Sequence, residues 1–257
     1  MLLLNTLLDT ARRGVEVVEV CGIKGRGVVA RQGFAAGDVV VQSEPLAATG
    51  HNKQFLPWTL APEEAQWGSA TLTARRRFEE EAPRVGAAIS DGSLRRFPAL
   101  AAQIAVRLAC EPGDTSAFGV VLAALCAPRL EVVPEAWLAD HATLREALGD
   151  APDWCTPRWY AGILGRLHLN AMRSTDGTVS ALYALPSLFN HDRDPTLLAH
   201  FADASVSFYA ARSISPEEEL TISYLPDDDG GGGSMDQAAR NHFLYEHYGF
   251  VEVSSFS

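Results

Sequence analysis

The period of the apolar side chains constrains this fold more than any other sequence feature, because it changes twice along the chain. Residues 15 to about 50 run in short alternating stretches, "VEVVEV", "GVVARQ" and "DVVVQSE", punctuated by Gly22, Gly25, Gly27, Gly33 and Gly37. Runs of β-branched residues bounded by glycine read as short strands. From about 60 to 172 the apolar residues recur at three- and four-residue steps. Leu94, Phe97, Leu100, Ile104 and Leu108 form one stripe, and Pro134 opens a second stretch with Trp137, Leu138, Leu144 and Leu148 on one face. Thr156-Pro157 supplies an N-cap and a proline at the first helical position, leading into "RWYAGILGRLHLNA".

After about 178 the period of two returns. "TLLAHFADASVSFYAA" reads as a hairpin turning at Ala202 to Ser205, with Val206, Phe208 and Ala210 alternating against Ser207 and Tyr209, and "ELTISY" reads as another strand. "DDDGGGGS" is a flexible loop by composition. "DQAARNHFLYEHYGF" reads as a short helix capped by Asp236 and stopped at Gly249. The order predicts an α+β chain: a β-rich fold of short strands, contributed by residues 1–60 and 161–257, interrupted by a helical insertion over 61–160.

Charge and cysteine usage exclude several functions. The formal net charge is −11 and the longest basic run is Arg75-Arg76-Arg77, so the basic stripe that neutralises phosphates is missing and direct nucleic-acid binding is not expected. The acidic clusters Glu217 to Glu219 and Asp227 to Asp229 would attract a basic partner, or simply form a solvated face. The four cysteines form no Cys-x-x-Cys pair, which argues against a zinc ribbon or a small disulfide framework and for a reducing compartment. The seven histidines contain no His-x-His or His-Glu-x-x-His pattern, so no metal site is expected, and His242 and His247 read as surface or capping residues. The opening "MLLLNTLLDTARRG" lacks the order of a secretory signal, and no segment approaches the ~20 apolar residues needed to cross a bilayer. These features predict a soluble, intracellular monomer of the nucleus or cytosol, without membrane contact.

Five motifs then follow in order: "GIKGRGVVARQGFAAGDVVVQSEPLA", "LHLNAM", "LFNHDRDP", "EEELTISY" and "RNHFLYEHYGF". In this order the chain resembles the SET-domain protein lysine methyltransferases over residues 15 to 56 and 160 to 252. The arrangement most resembles the subgroup in which a zinc-binding MYND module splits the SET core, but residues 46 to 90 contain no cysteine, so that module is expected to be missing. The resemblance implies a β-rich SET fold with a pseudo-knot, S-adenosyl-L-methionine as cofactor, and methyl transfer to the lysine side-chain amine of a histone or non-histone protein substrate.

Read on its own, Gly25-Arg26-Gly27 is a turn whose glycines supply positive φ. The resemblance instead makes it the place where backbone approaches S-adenosylmethionine, with Lys24 and Arg26 near the cofactor's carboxylate or on the outer rim. His191 alone reads as a satisfied structural histidine. The resemblance places Asn190-His191 at a knot-like crossing that binds the cofactor, and makes Asn170 a further cofactor contact. Tyr224 would by default be a half-buried strand residue with its hydroxyl in water. The resemblance aims it at the transferring methyl and makes Tyr248 and Phe250 the walls of a lysine channel that also cover the cofactor.

Two departures qualify this reading. "NHDRDP" stands where the family commonly has Asn-His-Ser-Cys-x-Pro-Asn, which keeps a second reading open: a catalytically weak or inactive protein-interaction module. Arg193 occupies the place of a zinc-binding cysteine, and "VEVSSFS" after Phe250 contains none. A zinc-free channel closed by Tyr248, Phe250 and Phe256 is therefore expected, its missing clamp replaced by apolar packing or by substrate.

Overall fold

A computed structural model describes residues 1–20, 25–50, 55–59, 62–90, 96–111, 116–225 and 235–252. The expectations for Lys24, Leu94, Phe256 and the glycine-rich loop fall outside these residues. The described chain is a mixed α+β fold of short strands in small sheets. Helix α1 (Leu2–Leu7) precedes strands β1 (Val15–Val20), β2 (Gly25–Ala30), β3 (Val39–Ser43) and β4 (Ala47–Thr49). Helices α2 (Pro62–Ala65), α3 (Ser69–Ser90), α4 (Arg96–Cys110), α5 (Ala117–Ala124), α6 (Glu135–Leu148) and α7 (Pro157–Asn170) follow. The chain then returns to strands β5 (Met172–Arg173), β6 (Ser180–Leu182), β7 (Asn190–His191), β8 (Leu197–Ala202), β9 (Ser205–Ala210) and β10 (Glu219–Ile222), and finishes in helix α8 (Gln237–Tyr248).

Among the described residues the strands form three sheets, ordered β1-β2-β10-β7, β3-β9-β8 and β4-β6-β5. Each joins residues from the two ends of the sequence. The pairing of Val29 with Glu219 inserts β10 beside β2. Strand β7 runs parallel to β10, with Asn190 opposite Thr221 and His191 opposite Ile222. The hairpin of β8 and β9 turns between Ala202 and Ser205, and its alternation buries Val206, Phe208 and Ala210 as their spacing predicts.

Helix α4 joins the helical block to the strands. Ala99 to Ala102 and Ile104 to Val106 are buried, a wider face than the leucine stripe alone suggests. Gln103 accepts from the Ala48 amide at 2.7 Å and donates to the Leu56 carbonyl at 2.8 Å, so it satisfies backbone around β4. One turn on, Arg107 is 1% exposed, donates to the Leu46 carbonyl at 2.7 Å and pairs with the buried carboxylate of Glu64. Its guanidinium lies 3.9 Å from the Trp58 ring and 3.7 Å from the Phe118 ring. A buried charge is tolerable only with such partners, since desolvating it alone costs several kcal/mol.

Helix α6 corrects one expectation. His141, Leu144 and Ala147 face the core, whereas Leu138 is 42% exposed. His141 takes the place expected of an apolar residue because its Nε2 lies 2.9 Å from the Cys155 carbonyl, which meets its polar requirement inside. The caps agree with the sequence: the side chains of Thr156 and Asp236 accept from the amides of Trp159 and Ala239. No helix among the described residues is long and apolar enough to cross a membrane.

Candidate active site

Strands β2, β7 and β10 and the segment after α8 converge on one group of aromatic and polar side chains. Gly25, Arg26 and Gly27 open β2 and are not a turn, which corrects the reading made from glycine spacing. Gly25 does adopt a positive φ of 72°, with open space where a Cβ would stand. Gly27 is needed for packing instead. A Cβ there would lie 2.6 Å from Val20 Cγ2, 2.8 Å from Asn190 Nδ2 and 3.0 Å from Glu219 Oε1.

Asn190 reaches this strand across the sheet. Its Nδ2 donates to the Arg26 carbonyl at 3.0 Å and to Glu219 Oε1 at 2.8 Å. With both N–H bonds engaged, the amide orientation is set and Oδ1 is the group able to receive a donor. Glu219 was legible only as part of an acidic cluster. In the fold Glu217 pairs with Arg31, Glu218 with Arg212, and Glu219 with Asn190, so the cluster is not one free acidic face.

His191 is buried beside this contact. Its Nδ1 accepts from the Tyr224 amide at 3.0 Å, so the ring proton sits on Nε2, 3.0 Å from Glu252 Oε1. Tyr224, just beyond β10, donates its hydroxyl to the Phe189 carbonyl at 2.6 Å. Burial is the main reason its phenol is pushed well above the usual tyrosine value, with the neighbouring Tyr248, Cys126 and Glu219 adding to the shift. Burial also raises the Tyr248 phenol. Both hydroxyls therefore stay protonated near neutral pH.

Gly249 ends α8 in the left-handed conformation, and the chain bends so that Phe250 faces the same site. The Tyr224 and Tyr248 ring centroids are 4.7 Å apart; Phe250 lies 6.3 Å from each and 5.9 Å from His191. Tyr224, Tyr248, Phe250, Asn190 and His191, singled out far apart in sequence, thus meet in one place. Asn170 is engaged by a different set of partners. Its side-chain amide donates to the carbonyls of Cys126 and Arg166 at 2.8 and 2.7 Å, and its main-chain carbonyl accepts from Ser187 Oγ at 3.2 Å. It ties the end of α7 to the turn that leads into Asn190. Glu219, Glu252 and the Phe189 carbonyl escaped sequence reading, because a carboxylate in a polar run and a backbone oxygen carry no pattern of their own. No group of three or more His, Cys, Asp or Glu side chains among the described residues is placed to hold a metal ion.

The chain belongs to the SET domain family, whose model matches residues 25–225. The chain is 32% identical over 120 residues to the histone-lysine N-methyltransferase ATXR4 of Arabidopsis thaliana, covering 37% of this chain and 34% of that protein. It is 30% identical over 105 residues to a SET and MYND domain-containing protein of Dictyostelium discoideum, covering 36% of this chain and 29% of that protein. Among solved structures, Rubisco LSMT bound to AdoMet shares the fold at 14% identity with a TM-score of 0.55, over 98% of this chain and 57% of that one. The SET domain of LSMT bound to lysine and AdoHcy shares it at 16% identity with a TM-score of 0.53, over 97% and 56%. The overlap is about a third of each curated relative's length and just over half of these solved chains.

Proposed function

We propose that this chain transfers a methyl group from S-adenosylmethionine to the side-chain amine of a lysine in a protein substrate. The observation that carries the reading is the Tyr224 hydroxyl, held 2.6 Å from the Phe189 carbonyl with the Tyr248 ring 4.7 Å away. With its proton committed to that carbonyl, the Tyr224 oxygen presents lone pairs to a polarised group in front of it. Neither phenol ionises near neutral pH, so the tyrosines orient and shield and do not act as bases. Aromatic faces also favour a cationic ligand.

S-adenosylmethionine would supply a methyl on a sulfonium sulfur; a neutral lysine amine would attack that carbon in line, forming the N–C bond as the C–S bond breaks, with S-adenosylhomocysteine as leaving group and the proton of the new methylammonium lost to solvent. The residues fit this cofactor. Gly25 leaves backbone accessible, Asn190 offers Oδ1 as an acceptor for a cofactor amine, and His191 and Phe250 close the space between strand and aromatic wall. Arg26 would sit at the cofactor's carboxylate end, and Asn170 would act by holding the turn before Asn190. Helices α2 to α7 lie between β4 and β5 in the chain, which supports reading residues 61–160 as an insertion in a core formed by 1–60 and 161–257.

The Dictyostelium relative supports a place near the split-SET subgroup, and the lack of cysteine over residues 46–90 supports reading the core as one without a MYND module. The lysine and monomethyllysine bound in LSMT support lysine as the acceptor, and the net charge of −11 favours a basic protein partner, histone or non-histone. We place the protein inside the cell, in nucleus or cytosol, as a monomer without direct nucleic-acid or membrane contact. Elemental analysis of purified protein is expected to find no stoichiometric zinc.

Calorimetric titration with S-adenosylmethionine, followed by a radiolabelled methyl screen on basic protein substrates, tests the reading. Cofactor binding and label on lysine are expected. Absence of binding and of thermal stabilisation by cofactor or product would favour the interaction module that the altered "NHDRDP" suggests. Gly27→Ala probes the strand edge: its methyl would displace the Asn190 amide, so cofactor affinity should fall about ten-fold or more, the worth of one or two buried hydrogen bonds. Unchanged affinity would remove Asn190 from the cofactor site.

A further inference from the structure

We infer that Glu252 is a positioning residue: by docking on His191 and Arg240 it fixes the His191 tautomer that holds Tyr224, and so couples closure of the Phe250 wall to the geometry of the site. This rests on the proposed lysine methyl transfer for its kinetic consequence only. The Glu252 carboxylate has two partners, His191 Nε2 at 3.0 Å through Oε1 and Arg240 Nε at 3.4 Å through Oε2. Its backbone amide donates to Asn241 Oδ1 at 2.8 Å, so side chain and main chain are both fastened. Arg240 is 8% exposed and also donates to the Met235 carbonyl, which makes it a fixed counterion and not a mobile surface charge.

The coupling follows from donors and acceptors. A backbone N–H only donates, so the 3.0 Å contact from the Tyr224 amide requires a lone pair on His191 Nδ1. A neutral imidazole with Nδ1 free carries its proton on Nε2, and a carboxylate is the partner that rewards it there. Glu252 therefore selects the tautomer that pins Tyr224. Without it, the Nδ1–H tautomer becomes accessible and would set an N–H against the Tyr224 N–H. Phe250 lies two residues before Glu252, so the same contact that fixes the histidine brings the aromatic wall against Tyr224. A polar contact therefore stands beside the ring packing of Phe250, in a place where apolar packing or substrate was expected to act as the clamp.

Two readouts test this, one of which needs no enzyme activity. Imidazole nitrogen NMR of the full chain, with His191 assigned through His191→Gln, should show the Nε2–H tautomer in the wild type and a mixture of tautomers in Glu252→Ala. In a lysine-peptide assay, Glu252→Ala should raise peptide KM and lower kcat/KM at least ten-fold, while the affinity for S-adenosylhomocysteine changes less than three-fold. Glu252→Gln keeps an acceptor for Nε2–H and should restore both the tautomer and most of the kcat/KM. An Nε2–H tautomer undiminished in Glu252→Ala would overturn the inference, as would equal loss in the Ala and Gln variants. Wild-type protein that neither binds cofactor nor methylates would overturn the proposed function while leaving the tautomer result to decide this one.

Discussion

Tyr224→Phe is expected to lower methyl-transfer turnover on the order of a hundred-fold, the effect typical of removing one preorganised polar contact from a reacting centre. The ring would keep its place against Tyr248, His191 and Phe250, so cofactor affinity should stay within about two-fold. The Phe189 carbonyl would lose its donor, a cost of about 1 kcal/mol in stability. Measured together, kcat, cofactor Kd and Tm separate a chemical role from a packing role. Turnover equal to wild type would remove Tyr224 from the chemistry, and a collapse of cofactor binding would assign it to the binding surface instead.

Arg107→Met should have the largest effect on folding. Arg107 lies between the Trp58 and Phe118 rings and is paired with Glu64, which is itself wholly buried and also accepts from Trp58 Nε1. Removing the arginine leaves a carboxylate without its countercharge, a loss of roughly 3 to 5 kcal/mol. In a chain of this size that lowers Tm by roughly 10 °C. The double variant Arg107→Met with Glu64→Gln removes both charges and leaves Trp58 an acceptor, so it should recover much of that loss. Additive destabilisation in the double variant would show that the two side chains act independently.

The sequence was most informative where side chains repeat. Strands β1 and β9 alternate clearly along their six residues, and α7 and α8 carry recognisable caps. Strands β5 and β7 have two residues each, and β4 and β6 have three, too few for any period. Helix α3 hides its buried stripe because two of the four buried apolar side chains described in it are alanines: Ala74, Phe78, Ala82 and Val85. In the site, Asn190, His191, Tyr224, Tyr248 and Phe250 were visible through the resemblance of their motifs and the order of those motifs along the chain, since each residue read alone had an ordinary structural explanation. Glu219 and Glu252 were not, since their partners lie 29 and 61 residues away and the contact exists only once the strands are paired. Gly27 was noticed for the wrong physical reason. It was read as backbone freedom, and it is lack of room.

The pairing of Val29 with Glu219 also has a consequence for how the chain is made. On the ribosome the β1 and β2 hairpin emerges roughly 190 residues before its partner, on the order of ten to forty seconds at ordinary elongation rates. Through that interval one side of β2 presents unpaired amides and carbonyls, the kind of edge that recruits other chains. Arg26 on β2 and Arg31 just past its end place charge along the waiting edge and oppose such pairing. The helical block is synthesised during this wait, with Gln103 and Arg107 ready to cover β4, so local helices form before the long-range sheet closes. The surfaces proposed for cofactor and lysine can form only after β10 and the segment carrying Phe250 have been released.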